Sequence, residues 1–330
     1  MNYVSFRGTA MRLPKPIAAM LSGGLIVVCV GVVSAQNFPS KPLRIVTSEA
    51  GGGADFLTRV ITQGIAGSLG QPLVVENRPT GVIQGQIVSK APPDGYTLLF
   101  ISDVHWIMPL LEKTPWDPVR DFSPVTAAVN SPNILVVHPN LPAKSVTELI
   151  ALAKAKPGEL NYAVNAAGSS SHRATELFKY MAGVNMVGVP YKGTAQGLND
   201  VLGGRVQFMF SSSGSAAAHI KSRRLLALAV TGAKPFALNP DLPTVAESGL
   251  PGYESVSTYG IFAPARTPEA VISRLNQEVV QFLKTPKAKE QYLNVGVEVV
   301  ASSPAEFAAT IKSEMTRMAK LIKSAGIKVD

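Results

Sequence analysis

Leu43-Arg44-Ile45-Val46-Thr47-Ser48-Glu49-Ala50-Gly51-Gly52-Gly53-Ala54-Asp55 is the stretch that decides the fold. A short apolar run predicts a strand, and the glycines behind it predict a sharp turn into a helix. A second turn has the same character. It runs Asn165-Ala166-Ala167-Gly168-Ser169-Ser170-Ser171-His172 and leads into Thr175-Glu176-Leu177-Phe178. A helix start offers unpaired N–H donors and a partial positive charge. Such a turn holds a carboxylate or phosphate without an Arg or Lys. Two of them, far apart in the chain, predict two lobes that grip one small anion.

Working outward, strand-like and helix-like segments alternate. Strands are expected at 43–47, 73–76, 97–101, 134–138, 161–164, 187–190, 206–210, 225–230 and 257–262. Most are short, continuously apolar runs, the pattern of parallel strands covered on both faces. Ser145-Val146-Thr147-Glu148 reads as a capping box, and Thr267-Pro268 as an N-cap with proline behind it. Ser303-Pro304-Ala305-Glu306 combines both signals and opens a helix with Phe307, Ile311, Met315, Met318 and Ile322 on one face. Alternation of this kind predicts a doubly wound α/β fold. No flexible linker separates the two turns, so the lobes should be joined by crossing strands near 136–139 and 253–258. This gives one lobe from 36–137 plus 257–330 and another from 138–256.

The first 35 residues read as a cleaved secretory leader. Arg7, Arg12 and Lys15 precede an apolar stretch, and Val33-Ser34-Ala35 supplies small residues for cleavage. The chain's single cysteine, Cys29, falls within that leader, so neither disulfides nor thiol chemistry is expected after cleavage. Without the leader, 28 basic and 22 acidic residues leave a net charge of +6. The basic residues are scattered and form no stripe of the kind nucleic acid needs. A mildly basic surface suits an exported protein that receives anions.

Enzymatic motifs are missing: there is no G-x-S-x-G elbow, Walker loop or H-E-x-x-H. His172 and Glu176 share a helix face, a spacing more typical of a surface contact than of a metal site. Gly51, Gly53 and Glu76 imitate a dinucleotide fingerprint, but Phe56 stands where close helix–strand packing needs a small residue. No cofactor or metal is expected. Ser170 with His172 is the one cheap nucleophile–base pair, and two residues apart on a helix they would face each other poorly.

These turns and their neighbours resemble the Bug-type solute-binding proteins of tripartite tricarboxylate transporters. The likeness is carried in order by 39–46, 50–55, 69–79, 93–97, 116–122, 189–193, 242–249 and 262–265, and it covers essentially the whole mature chain. It implies a type II periplasmic-binding-protein-like fold, with a cleft between two α/β lobes that close on a small carboxylate. It also implies membrane transporter subunits as partners; a monomer is expected, with the oligomeric state left open by the sequence. A sensory receptor that presents its ligand to a membrane kinase, or an exported enzyme on the same fold, would share these features.

The candidate ligand residues are Ser48, Glu49, Ala50, Gly51, Gly52 and Asp55 on the first turn and Gly168, Ser169, Ser170, Ser171 and His172 on the second. Ser102, His105 and Ser211 follow other strands. Against the family pattern, Ser48-Glu49 replaces Pro-Phe, Met108 replaces Asn, Ser211 replaces Asp, and 80–85 is shortened. Two carboxylates ~5 Å apart repel by about 3 kcal/mol at an effective dielectric of 20, roughly a hundredfold in affinity. If Glu49 faces the ligand, it favours a zwitterion or nitrogen-heterocyclic acid over a diacid. If it faces solvent or the adjacent helix start, it does not. Asp55 and the three serines fit ordinary helix caps as well as ligand contacts. His105 and His172 fit loop packing as well as the cleft lining, Trp106 fits the core as well as a ligand platform, and Arg78 fits a turn brace.

Overall fold

The computed structural model describes residues 1–3, 38–79, 82–165 and 169–325. The expected leader lies almost wholly outside the described residues, as does Gly168.

The chain from Pro39 onward is built on one curled sheet of ten strands. β1 (Leu43–Thr47) lies between β2 (Leu73–Asn77) and β3 (Thr97–Ser102), all parallel. β9 (Val256–Pro264) runs antiparallel beside β3 and pairs on its far side with β4 (Phe122–Val137). In the other half, β7 (Phe208–Ser212), β5 (Asn161–Val164) and β6 (Val187–Pro190) are parallel to one another. β8 (Leu226–Val230) and β7 flank the end of β4, both antiparallel to it, and β10 (Glu298–Val299) pairs with its middle.

β4 is the strand that the two halves share. From Phe122 to Pro132 it pairs with β9, and from Asn133 to Val137 it pairs with β7 and β8. The sequence reading expected only its last third as a strand, with the crossing a few residues later. Pro124 and Pro132 read as breakers because proline donates no ladder bond. The register shifts between Pro124 and Thr126 and again between Ala127 and Val129, and these irregularities let the strand continue. The antiparallel β4–β9 pair likewise departs from the expected run of parallel strands.

The helices follow their local signals. α1 (Gly53–Leu69) turns Leu57, Val60, Ile61, Ile65 and Leu69 inward. α4 (Val146–Ala155) is capped by Ser145, whose hydroxyl accepts from the Glu148 amide. α10 (Pro304–Ala325) opens on a reciprocal box: Ser303 Oγ accepts from the Glu306 amide at 3.2 Å, and Glu306 accepts from the Ser303 amide at 2.8 Å. In α8 (Glu269–Leu283) the cap is Pro268 itself, one residue later than expected, and Thr267 bonds back to Pro264.

Each half has its own core. In the first, Trp106, Phe122, Phe262 and Phe307 pack with Val46, Leu99 and Ile311. In the second, Phe178, Phe208, Phe210 and Tyr253 pack on one face of the sheet, and Val136, Leu198, Met209 and Phe236 on the other. Burial at roughly 25 cal/mol per Å² makes these aromatic clusters the main stabilising mass of either half.

Candidate functional site

The first turn, and the described ends of the second at Asn165 and at 169–172, lie where parallel strands end. Doubly wound sheets bind their ligands at this end, where helix starts point their amides outward. The first turn joins β1 to α1, and Gly51 adopts a positive φ of 78° that disfavours side chains. Gly52 is the N-cap of α1 and, having no side chain, supplies no side-chain cap bond to the helix start. Ser48 is half-buried, whereas Glu49, Ala50, Gly51 and Gly52 are exposed.

Asp55 is committed to holding this turn. It accepts from the Gly51 amide at 2.9 Å, from Asn77 at 2.8 Å and from Arg59 at 3.0 Å. Burial raises its pKa, but the bonds from Arg59, Asn77 and Gly51 outweigh this and hold it at about 2. Asp55 thus braces its own turn from inside. Asn77 also donates to the Ser48 carbonyl at 2.6 Å. Arg78 is paired with Glu76, as is Arg44, so Arg78 is a brace and Glu76 has two cationic partners.

The second turn feeds α5 (Ser170–Ala182). Ser169 is its N-cap and accepts from the His172 amide at 3.3 Å. Ser171 is buried, within 3.2 Å of Ser169 Oγ, and accepts from the Asn165 amide at 3.4 Å. Two of the three serines therefore organise the turn, and Ser170 is half-buried beside them. His172 is also half-buried, and burial lowers its pKa. Glu176 accepts from Tyr162 at 2.7 Å and from Lys179 at 2.9 Å. Among the described residues no group of three or more His, Cys, Asp or Glu could hold a metal ion.

Ser102 closes β3, and Ser211 lies buried near the end of β7, donating to the Ser212 carbonyl at 3.2 Å. His105 is a correction to the sequence reading. It lies within the first core, stacked on Trp116 at 4.4 Å and edge-on to Phe122 at 4.4 Å. Neither ring nitrogen has a hydrogen-bond partner among the described residues, and burial pushes its pKa down to about 3. It is a neutral aromatic filler and does not reach the turns. Trp106 is also core, its indole donating to Glu314 at 2.8 Å.

Among the described residues, three further amides each have a side-chain atom without a hydrogen-bond partner. Gln84, on α2 (Val82–Ser89), donates to Ser48 Oγ at 3.3 Å, and its Oε1 has no partner. Asn165, at the end of β5, donates to Thr194 at 3.0 Å, and its Oδ1 has none. Asn133, where β4 changes partners, has an unpartnered Nδ2, while its backbone is tied to Thr231. Buried polar atoms are ordinarily satisfied. These three adjoin the first turn, the second turn and the shared strand.

The model of the tripartite tricarboxylate transporter family receptor, TctC, matches residues 57–327. The chain belongs to this family. BugT of Bordetella pertussis is 33% identical over 315 residues, 93% of this chain and 97% of BugT. The R. palustris protein Rpa4515, solved with adipate, is 35% identical with a TM-score of 0.75, over 88% of this chain and 99% of its own. MatC from Rhodopseudomonas palustris, solved with bound malate, is 28% identical with a TM-score of 0.70, over 86% of this chain and all of MatC. The TctC family is one of solute-binding receptors, and the architecture described above is its two-lobe binding-protein fold.

Proposed function

We propose that this TctC-family receptor is exported to the periplasm, captures a small organic carboxylate between two lobes and delivers it to a tripartite tricarboxylate-type membrane carrier. The observation that carries the reading is the pair of helix-opening turns with partner-seeking amides around them. The uncapped start of α1 and Gln84 lie in one half of the sheet, and the serine turn with Asn165 in the other. Amide dipoles of this kind bind a carboxylate, and an unpartnered amide atom accepts or donates to a polar ligand. Adipate in Rpa4515 and malate in MatC are carboxylates of this size.

On this reading the lobes are 36–137 plus 257–330 and 138–256, joined through β4 and β9, and residues 1–35 are the leader. The ligand set comprises Ser48, Ala50, Gly51, Gly52, Ser102, Gly168, Ser169, Ser170, His172 and Ser211, with Gln84, Asn133 and Asn165 added. Glu49 stands exposed on the first turn and would select against a second carboxylate at its end of the ligand.

The test is a calorimetric titration of residues 36–330 against adipate, malate, zwitterionic amino acids and pyridine monocarboxylates, repeated with Glu49→Gln. At a hundred times its Kd a true ligand also stabilises the fold by about 2.7 kcal/mol, visible as a thermal shift. At least one carboxylate should bind, and the Gln variant should gain about tenfold or more for diacids relative to zwitterions. Equal ratios in both proteins remove Glu49 from specificity. Binding of no carboxylate overturns the receptor reading.

A further inference from the structure

The loop after β3 and the start of α5 are joined by an ion pair. Asp103 is the N-cap of the short helix α3 (Val104–Ile107), in the half of the sheet that carries the first turn. Arg173 stands one helical turn into α5, in the half that carries the second. Arg173 Nη2 donates to Asp103 Oδ2, and the two side chains are only 6% and 3% exposed. The same nitrogen lies 3.5 Å from Ser257 Oγ on β9. Asp103 Oδ1 is buried with no hydrogen-bond partner among the described residues.

The surroundings are also charged. Glu314 and Arg317 of α10 and Glu254 line a small cavity of about 20 Å³ beside the pair. Glu314 is held by the Trp106 indole, and Arg317 donates to the Glu254 carbonyl. Both groups thus have hydrogen-bond partners outside the pair, while their charges still act on Asp103 and Arg173. Asp103 and Arg173 form a direct side-chain ion pair between the two halves.

A buried ion pair is a poor source of stability, because desolvation offsets most of the attraction. It is a precise positional constraint, since a lone charge left in that place is strongly disfavoured. Separating the halves here would require both charges to be rehydrated together. The pair sits two residues from Ser171 and next to both His172 and Ser102, so it sets where the two ligand loops stand relative to each other.

We propose that Asp103 and Arg173 form a positioning clasp that holds the two ligand-binding loops in register and so sets the strength of capture for every ligand of the site. The proposal rests on the receptor reading above. The clasp touches loop geometry and not the ligand, so it acts on the equilibrium between open and closed forms. Its loss should therefore weaken all ligands by the same factor and act mainly through faster release.

The experiment compares wild type, Asp103→Asn, Arg173→Gln and the double variant Asp103→Leu/Arg173→Met. The apolar double removes both charges together and keeps a folded protein available if either single variant, with its stranded charge, fails to fold. Adipate, malate and the best ligand of the panel are titrated, release is followed by stopped flow, and X-ray scattering measures the ligand-free radius of gyration. The clasp predicts a loss of about 10–100-fold in affinity, equal across ligands, with faster release and a larger ligand-free radius in each folded variant. Unchanged affinity in folded variants, or a loss confined to one ligand class, overturns it; the second result would make Arg173 a direct ligand contact. If wild type binds nothing, the receptor reading has failed, and scattering still decides the clasp: an unchanged radius refutes it and a larger one supports it.

Discussion

Gly260 shows how little room single positions leave. A Cβ there would sit 2.2 Å from the Phe307 ring and 2.9 Å from the Thr126 carbonyl oxygen. Phe307 is fully buried against Phe262, and Thr126 is in β4, so neither can retreat cheaply. Gly260→Ala should cost about 1–3 kcal/mol, read as a lower urea midpoint with an unchanged slope. Asp55 is different in kind. Its depressed pKa means that its stabilising bonds are present above the ordinary aspartate range and are lost only as pH falls through about 2. The first turn therefore keeps its brace across any physiological acidity. Gly260 stands in the sequence without a sign of its role, because the groups that crowd it come from β4 and α10, whereas Asp55 carries a local sign through Gly51 and Arg59 and only its bond from Asn77 of β2 is distant.

Elements are where local chemistry speaks most clearly. The Ser303–Glu306 box is reciprocal in the structure, and α10 begins as its sequence predicts. Ser303→Ala should cost about 1 kcal/mol, measurable by chemical unfolding, with restoration by Ser303→Asp. The apolar periodicity of α10 likewise finds its place, with Phe307, Ile311 and Met318 in the first core. β4 resisted such reading. Its prolines are local signals against a strand, and the pairing that overrules them is supplied by β9, far along the chain. His105 could be read as cleft or packing for a related reason. A histidine after a strand end looks like a cleft residue until Trp116, Phe122 and Phe262 are known to surround it.

At the scale of the molecule, α10 couples back to the region between the halves through Glu314. Burial and the neighbouring Asp103 raise the Glu314 carboxyl to about 7, against the counter-effects of Trp106, Arg317 and Arg173. An acid with a raised folded pKa favours the native state when protonated. Its contribution is full below the ordinary glutamate range and is lost as pH rises from there to about 7. Glu314→Gln, which keeps an acceptor for the Trp106 indole, should remove this slope. Wild type should lose up to about 3 kcal/mol relative to the variant between pH 4.5 and 7. Parallel unfolding curves for the two proteins across that range would contradict the assignment.

What the sequence determined by itself was whatever depends on neighbours in the chain. Apolar runs of strand length, Ser/Glu and Ser/Pro caps and glycine-rich turns act within a few residues, so the α/β alternation and both helix-opening turns were legible, and the ordered motifs carried the family. Pairing between distant segments was settled by the folded chain alone. It made β4 one continuous strand shared by both halves, enclosed His105 in aromatic rings and turned Asp55 inward onto Asn77. It also brought Gln84 to Ser48 and placed Asp103 against Arg173. The physical reason is that burial and hydrogen-bond partnership are properties of two surfaces meeting, and a linear sequence records only one surface at a time.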